Sequence, residues 1–115
     1  MESMVSESMR RFFDEQMGEL SGKVTTQILH DTIVVRFNDV LPPAERQLVR
    51  TEEGAELMKE IKLRLLEEII PYVKVMIKTL TNAEVIDIYS HISLATCQRI
   101  EVFTLNKDLE KTCKG

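Results

Sequence analysis

From Thr51 to Leu80 the chain keeps a continuous helical rhythm of apolar residues, and no other stretch restricts the fold as tightly. Met58, Ile61, Leu65 and Ile69 recur on one face, Leu57, Leu66 and Ile70 widen it, and Tyr72, Val73, Met76, Ile77 and Leu80 continue it. Thr51 stands where an N-cap belongs. Glu52, Glu53 and Glu56 suit the positive end of the helix dipole, and Lys74 and Lys78 the negative end. Pro71 removes an N–H and crowds the turn before it, so a kink or break is expected near Ile70. The apolar band is also too wide for its task. Leu57, Leu63, Leu66, Ile70, Val75 and Ile77 cannot all face one small sheet. The excess points to a second contact surface, most simply a two-fold homodimer.

A shorter helix opens the chain over Ser3 to Leu20, with Val5, Met9, Phe12, Phe13, Met17 and Leu20 on one stripe. Gly18 and Gly22 punctuate its end. Strands at Lys23–Leu29 and Thr32–Asn38 are joined by His30-Asp31, which leaves room only for a tight turn although it lacks the preferred glycine. In the second strand Ile33, Val35 and Phe37 share a face. Leu41-Pro42-Pro43 stops that strand and starts a helical turn through Ala44–Val49. After the long helix come strands at Val85–Ile92 and Arg99–Leu105. The order helix, hairpin, helix, hairpin (αββαββ) predicts a two-layer α+β domain, with a four-stranded, mainly antiparallel sheet and both helices on one face. With 115 residues, the chain divides into a single domain over 1–106 and a charged C-terminal tail over 107–115.

Charge narrows the partners. The formal charge is −4 and Arg10-Arg11 is the one adjacent basic pair, so nucleic acid and anionic lipid surfaces are not expected. No apolar run reaches the roughly 20 residues of a spanning helix, so no direct membrane insertion is expected. The first residues, with Glu2 and Glu7, do not read as a signal peptide. Cys97 and Cys113 are therefore expected as reduced thiols in a cytoplasmic protein rather than as a disulfide.

The densest collection of reactive side chains is Ser90, His91, Ser93, Thr96 and Arg99. On a strand, Asp87, Tyr89 and His91 share one face while Ser90 points to the other, so Ser90 and His91 cannot act as nucleophile and base. Ser90, Ser93 and Thr96 suit the backbone groups of a turn, and Arg99 could hold a carboxylate or phosphate. These residues make a candidate recognition loop with no catalytic residue assigned, and the protein is not expected to be an enzyme. His30, His91 and the two cysteines lack metal-ligand spacing, and the four glycines form no phosphate loop, so neither metal nor cofactor is expected. Glu60, Arg64 and Glu68 have the spacing of surface ion pairs. Met9, Phe12, Phe13 and Met17 give the first helix a deformable, methionine-rich candidate interaction face, although the same stripe suits a core.

From about Met17 to Leu105 the chain resembles the MpsC-like family of small bacterial proteins. The likeness rests on the first hairpin, on Leu41-Pro42 with Glu45 and Leu48, and on Asp87-Ile88, Ser90, Ile92-Ser93, Thr96 and Val102-Phe103. Cys97 stands where the family commonly has glycine after the threonine, which questions the turn geometry there. The resemblance implies a cytoplasmic bacterial protein tied to a sodium-translocating, membrane-potential-generating system, and it supplies no catalytic residues. Together these readings predict a small soluble accessory or regulatory protein acting through protein contact with a membrane-associated partner. The rival is a small-ligand-binding protein or enzyme using the His91–Arg99 connection.

Overall fold

Two hairpins merge into one antiparallel sheet in the computed structural model, which describes residues 1–18, 22–38 and 40–112. β1 (Val24–Leu29) and β2 (Thr32–Phe37) join through a turn where His30 has φ 56°. So short a turn requires left-handed backbone, and no glycine is present to supply it. β3 (Val85–Ser93) and β4 (Gln98–Leu105) form the second hairpin. The strand order is β1-β2-β4-β3, so the two central strands come from different hairpins. Their register sets Ile33 opposite Phe103, Val35 opposite Glu101 and Phe37 opposite Arg99. All six are buried, and this is the face the helices cover.

α1 (Glu2–Met17) stops at Gly18, whose φ of 65° and N–H bond to the Asp14 carbonyl make a left-handed C-cap. The expected end at Leu20 lies outside the described residues. α1 buries Val5, Met9, Phe13 and Met17. This corrects the reading of Met9, Phe12, Phe13 and Met17 as an interaction face: three are fully covered and Phe12 is half-buried against the same core. The stripe is wide enough to roof the β1–β2 side of the sheet, and that is how it is used.

The long helix, α3, runs over Glu52–Thr81 after a short α2 (Pro43–Leu48). Its cap is as expected, with Thr51 Oγ1 accepting from the Gly54 N–H at 3.0 Å. Of the kink or break expected near Ile70, the break does not occur, and the helix continues through Pro71. Pro71 and Glu67, whose carbonyl loses its partner, are both exposed, so water can satisfy the orphan group. Ile69 and Val73 on either side are buried and hold the axis down. At 1.5 Å per residue, 30 residues make a rod of about 45 Å. This accounts for the 51 Å long dimension of the molecule.

Two backbone positions hold the connections in place. Gly54 lets α2 approach α3 so closely that a Cβ there would lie 1.8 Å from the Leu48 carbonyl oxygen. Cys97 closes the β3–β4 turn with φ 55°, and its carbonyl accepts from the Val40 N–H at 3.0 Å. The family's glycine position is thus a positive-φ position here too, with cysteine bearing the strain. The short α4 (Leu109–Thr112), in the charged C-terminal stretch, contributes the fully buried Leu109, whose N–H donates to the His30 carbonyl at 2.8 Å.

Ordinarily Gly→Ala in a helix gains up to about 1 kcal/mol. Gly54→Ala is expected to lose about 1–3 kcal/mol instead, because the obstacle is backbone and α2 must move. Urea unfolding measures the sign directly. At the turn, Cys97→Gly is expected to melt at or above the parent temperature. Cys97→Val should lose about 1–2 kcal/mol through a branched side chain at positive φ.

Candidate functional site

The β3–β4 hairpin sorts the predicted recognition residues onto different surfaces. β4 alternates strictly, so Arg99, Glu101, Phe103 and Leu105 point inward while Gln98, Ile100, Val102 and Thr104 form the outer face. Across the pair, Ser90 stands opposite Glu101, and Ile92 opposite Arg99, on the inner side. His91 stands opposite Ile100, on the outer side, and is exposed. Ser93 is half-buried at the strand end, its Oγ accepting a long bond from the exposed Thr96 N–H, 3.4 Å away. The five residues therefore do not form one loop surface. Ser90 and Arg99 belong to the interior, while His91 and Thr96 are exposed.

What assembles instead is a charged cluster beneath α3. Arg99 is 2% exposed and Glu101 1% exposed. The Arg99 Nη1 lies 3.8 Å from a Glu101 carboxylate oxygen, and the Ser90 hydroxyl donates to the other oxygen. α1 completes the guanidinium's surroundings: Phe13 lies beneath it with its ring centroid 5.2 Å from Cζ, and Met17 Sδ accepts from Nη1 at 3.5 Å. Phe13 in turn packs on Phe37, with ring centroids 4.7 Å apart. From α3, the 3% exposed Lys62 reaches Glu45 of α2 at 2.9 Å. Two cations and two carboxylates are thus drawn together, as interior charge requires.

Between α3 and the hairpin lies a cavity of about 20 Å³, lined by Lys62, Leu66, Ser90, His91, Arg99 and Glu101 among others, with room for one water molecule. The carboxylate facing Arg99 is thus the chain's own Glu101. Lys62, Glu45 and Glu101 were not singled out as site residues. Their one signal was Lys62, a cation on the apolar stripe of α3 at helical spacing from Met58 and Leu66.

A second cluster joins the first hairpin to the C-terminal stretch. His30 Nδ1 lies 3.4 Å from Asp108 and 3.0 Å from Glu110. Their ligand-type atoms all fall within 4.8 Å of one another, the one such group of three among the described residues. His30 is 72% exposed, so the group is a solvated polar cluster tying α4 to the turn. Sequence spacing could not find it, since the imidazole and the carboxylates are far apart in the chain. On the outer side of α1, the Arg10 guanidinium hydrogen-bonds Glu7 and holds its carboxyl below the ordinary range.

Among the described residues, no helix is long and apolar enough to cross a membrane. Residues 1–107 match the family model described as Na+-translocating membrane potential-generating system (MpsC). The chain is 34% identical over 110 residues to the uncharacterized protein YbcI of Bacillus subtilis (strain 168), covering 96% of this chain and 89% of that one. No solved structure is significantly similar. A family match across nearly the whole chain, with a relative of almost equal length, leaves one conclusion: the protein is a member of the MpsC family.

Proposed function

We propose that this chain is an accessory or regulatory protein acting in the cytoplasm through protein contact, on a membrane-borne component of a Na+-translocating, membrane-potential-generating system. The observation that carries the reading is where reactive groups and apolar surface lie. Ser90, Arg99 and Glu101 engage one another inside the core. The open side of the sheet, by contrast, carries apolar side chains among polar ones such as Gln27, Arg36 and His91. The row Val34, Val102, Tyr89 crosses three strands there, with Ile100 and Leu29 beside it. Tyr89 and Leu29 are exposed and the other three half-buried, a surface suited to a protein partner. The family description supplies the kind of system, and the lack of a spanning helix among the described residues supports an ion path in another polypeptide.

The rival reading, a ligand or enzyme site in the His91–Arg99 connection, has Ser90, His91 and Arg99 on the small cavity but not Thr96, and that cavity has room for no more than a water molecule. In cells lacking the protein, the Na+-dependent membrane potential followed with a potential-sensitive dye distinguishes the two. The wild type and His91→Ala are expected to restore it, whereas the double variant Leu29→Glu/Tyr89→Glu, folded by circular dichroism, fails. Loss of activity in folded His91→Ala would favour the rival. A potential indifferent to the whole chain would end the accessory reading.

A further inference from the structure

α3 bears a second apolar stripe that nothing in the monomer covers. Leu57, Ile61, Leu65, Tyr72 and Val75 recur at intervals of three, four and seven, rotated well away from the buried row Met58, Lys62, Leu66, Ile69, Val73 and Ile77. All five are exposed, Tyr72 and Val75 at 65% each. Large apolar groups scattered singly need no explanation, but a row along one helix is a seam.

Charge identifies what fills it. The first half of α3 carries Glu52, Glu53, Glu56 and Glu60 together with Lys59, the buried Lys62 and Arg64, whereas its last turns carry Lys74 and Lys78 with no acid between them. A parallel partner of the same kind would set like against like. An antiparallel copy reverses this. When Ile61 is opposite Tyr72 and Leu57 opposite Val75, Lys74 falls beside Glu60 of the second copy and Lys78 beside Glu56. Near the axis, Arg64 falls beside Glu68. Arg64 is exposed and bonded only within its own helix, to Glu60 at 2.9 Å, so it can reorient at little cost. These flanking pairs are opposite in sign and each occurs twice by symmetry, while Leu65 meets Glu68 of the second copy and Glu67 meets its own counterpart near the axis.

We propose that two copies of this chain pair through α3, antiparallel about a two-fold axis near Leu66–Glu67, with Leu57, Ile61, Leu65, Tyr72 and Val75 as the seam. The open sheet faces lie outside this seam, so the inference stands independently of the partner reading above. Its residues match part of the excess apolar width of the sequence: Leu57 and Val75 lie in the seam, while Leu66 and Ile77 are core.

Sedimentation equilibrium across a dilution series tests it. The wild type is expected at twice the 13.3 kDa chain mass at micromolar concentration. Ile61→Asp/Tyr72→Asp should weaken association by a factor of about ten or more. Because that variant places charge on a helix, a second pair of variants uses surface positions alone. Lys74→Glu/Lys78→Glu should weaken the dimer, and adding Glu56→Lys/Glu60→Lys should restore it, an exchange that succeeds only in antiparallel self-pairing. A wild type that is monomeric throughout, or a dimer unaffected by Ile61→Asp/Tyr72→Asp, would overturn the seam. Charge reversal without restoration would overturn the antiparallel register.

Discussion

An arginine and a glutamate side by side on the inner face of the central strand govern how the rest of this molecule is arranged. Arg99 and Glu101 are excluded from water, so each must find its compensation inside the protein. The hydroxyl of Ser90, the ring of Phe13 and the thioether of Met17 come from three directions to supply it. That requirement fixes β3 beside β4 in a single register, since a slip of one residue would turn Ser90 outward and leave the carboxylate without its donor. It also fixes the C-terminal end of α1 over the sheet. Elsewhere the core is apolar apart from Lys62, Thr26 and Thr81, and it accepts α1 and α3 as a two-layer domain ordinarily does.

α3 divides the molecule into a settled side and an unsettled one. Its inner row closes the core and brings Lys62 to Glu45, which in turn depends on Gly54 admitting α2. Its outer row and the open side of the sheet leave apolar surface in water. The proposed contact role rests on this distribution, with the charged groups turned toward one another inside and apolar groups left in water outside. Membership in the MpsC family gives that proposal a setting, and the second copy proposed for α3 would cover one part of the surface.

Much of the fold was legible because helical spacing and strand alternation are strong signals when apolar residues obey them. The long helix, its threonine cap and the glycine-free His30 turn follow from local chemistry. Of the two outcomes expected at Pro71, the break is absent, since the helix runs on through Pro71 with Ile69 and Val73 buried on either side. The site was legible only in part. Ser90 and Arg99 were named, but alternation alone does not say which face of Arg99–Leu105 is inward, and apolar Ile100 and Val102 argue for the wrong one. The phase is set by Phe103 and Leu105 entering the core, which carries Arg99 and Glu101 inward with them. Met9, Phe13 and Met17 were ambiguous for a related reason: a stripe suited to a partner is equally suited to a sheet.

The central claim is that Arg99 and Glu101 serve the fold by holding each other, and a double-mutant cycle read by urea unfolding tests it most directly. Arg99→Met and Glu101→Met alone should each lose about 3–5 kcal/mol by leaving the partner's charge buried. Together they should recover most of that loss, because both charges have gone. Additive losses in the double variant would contradict the account and return these residues to the search for a binding or catalytic role.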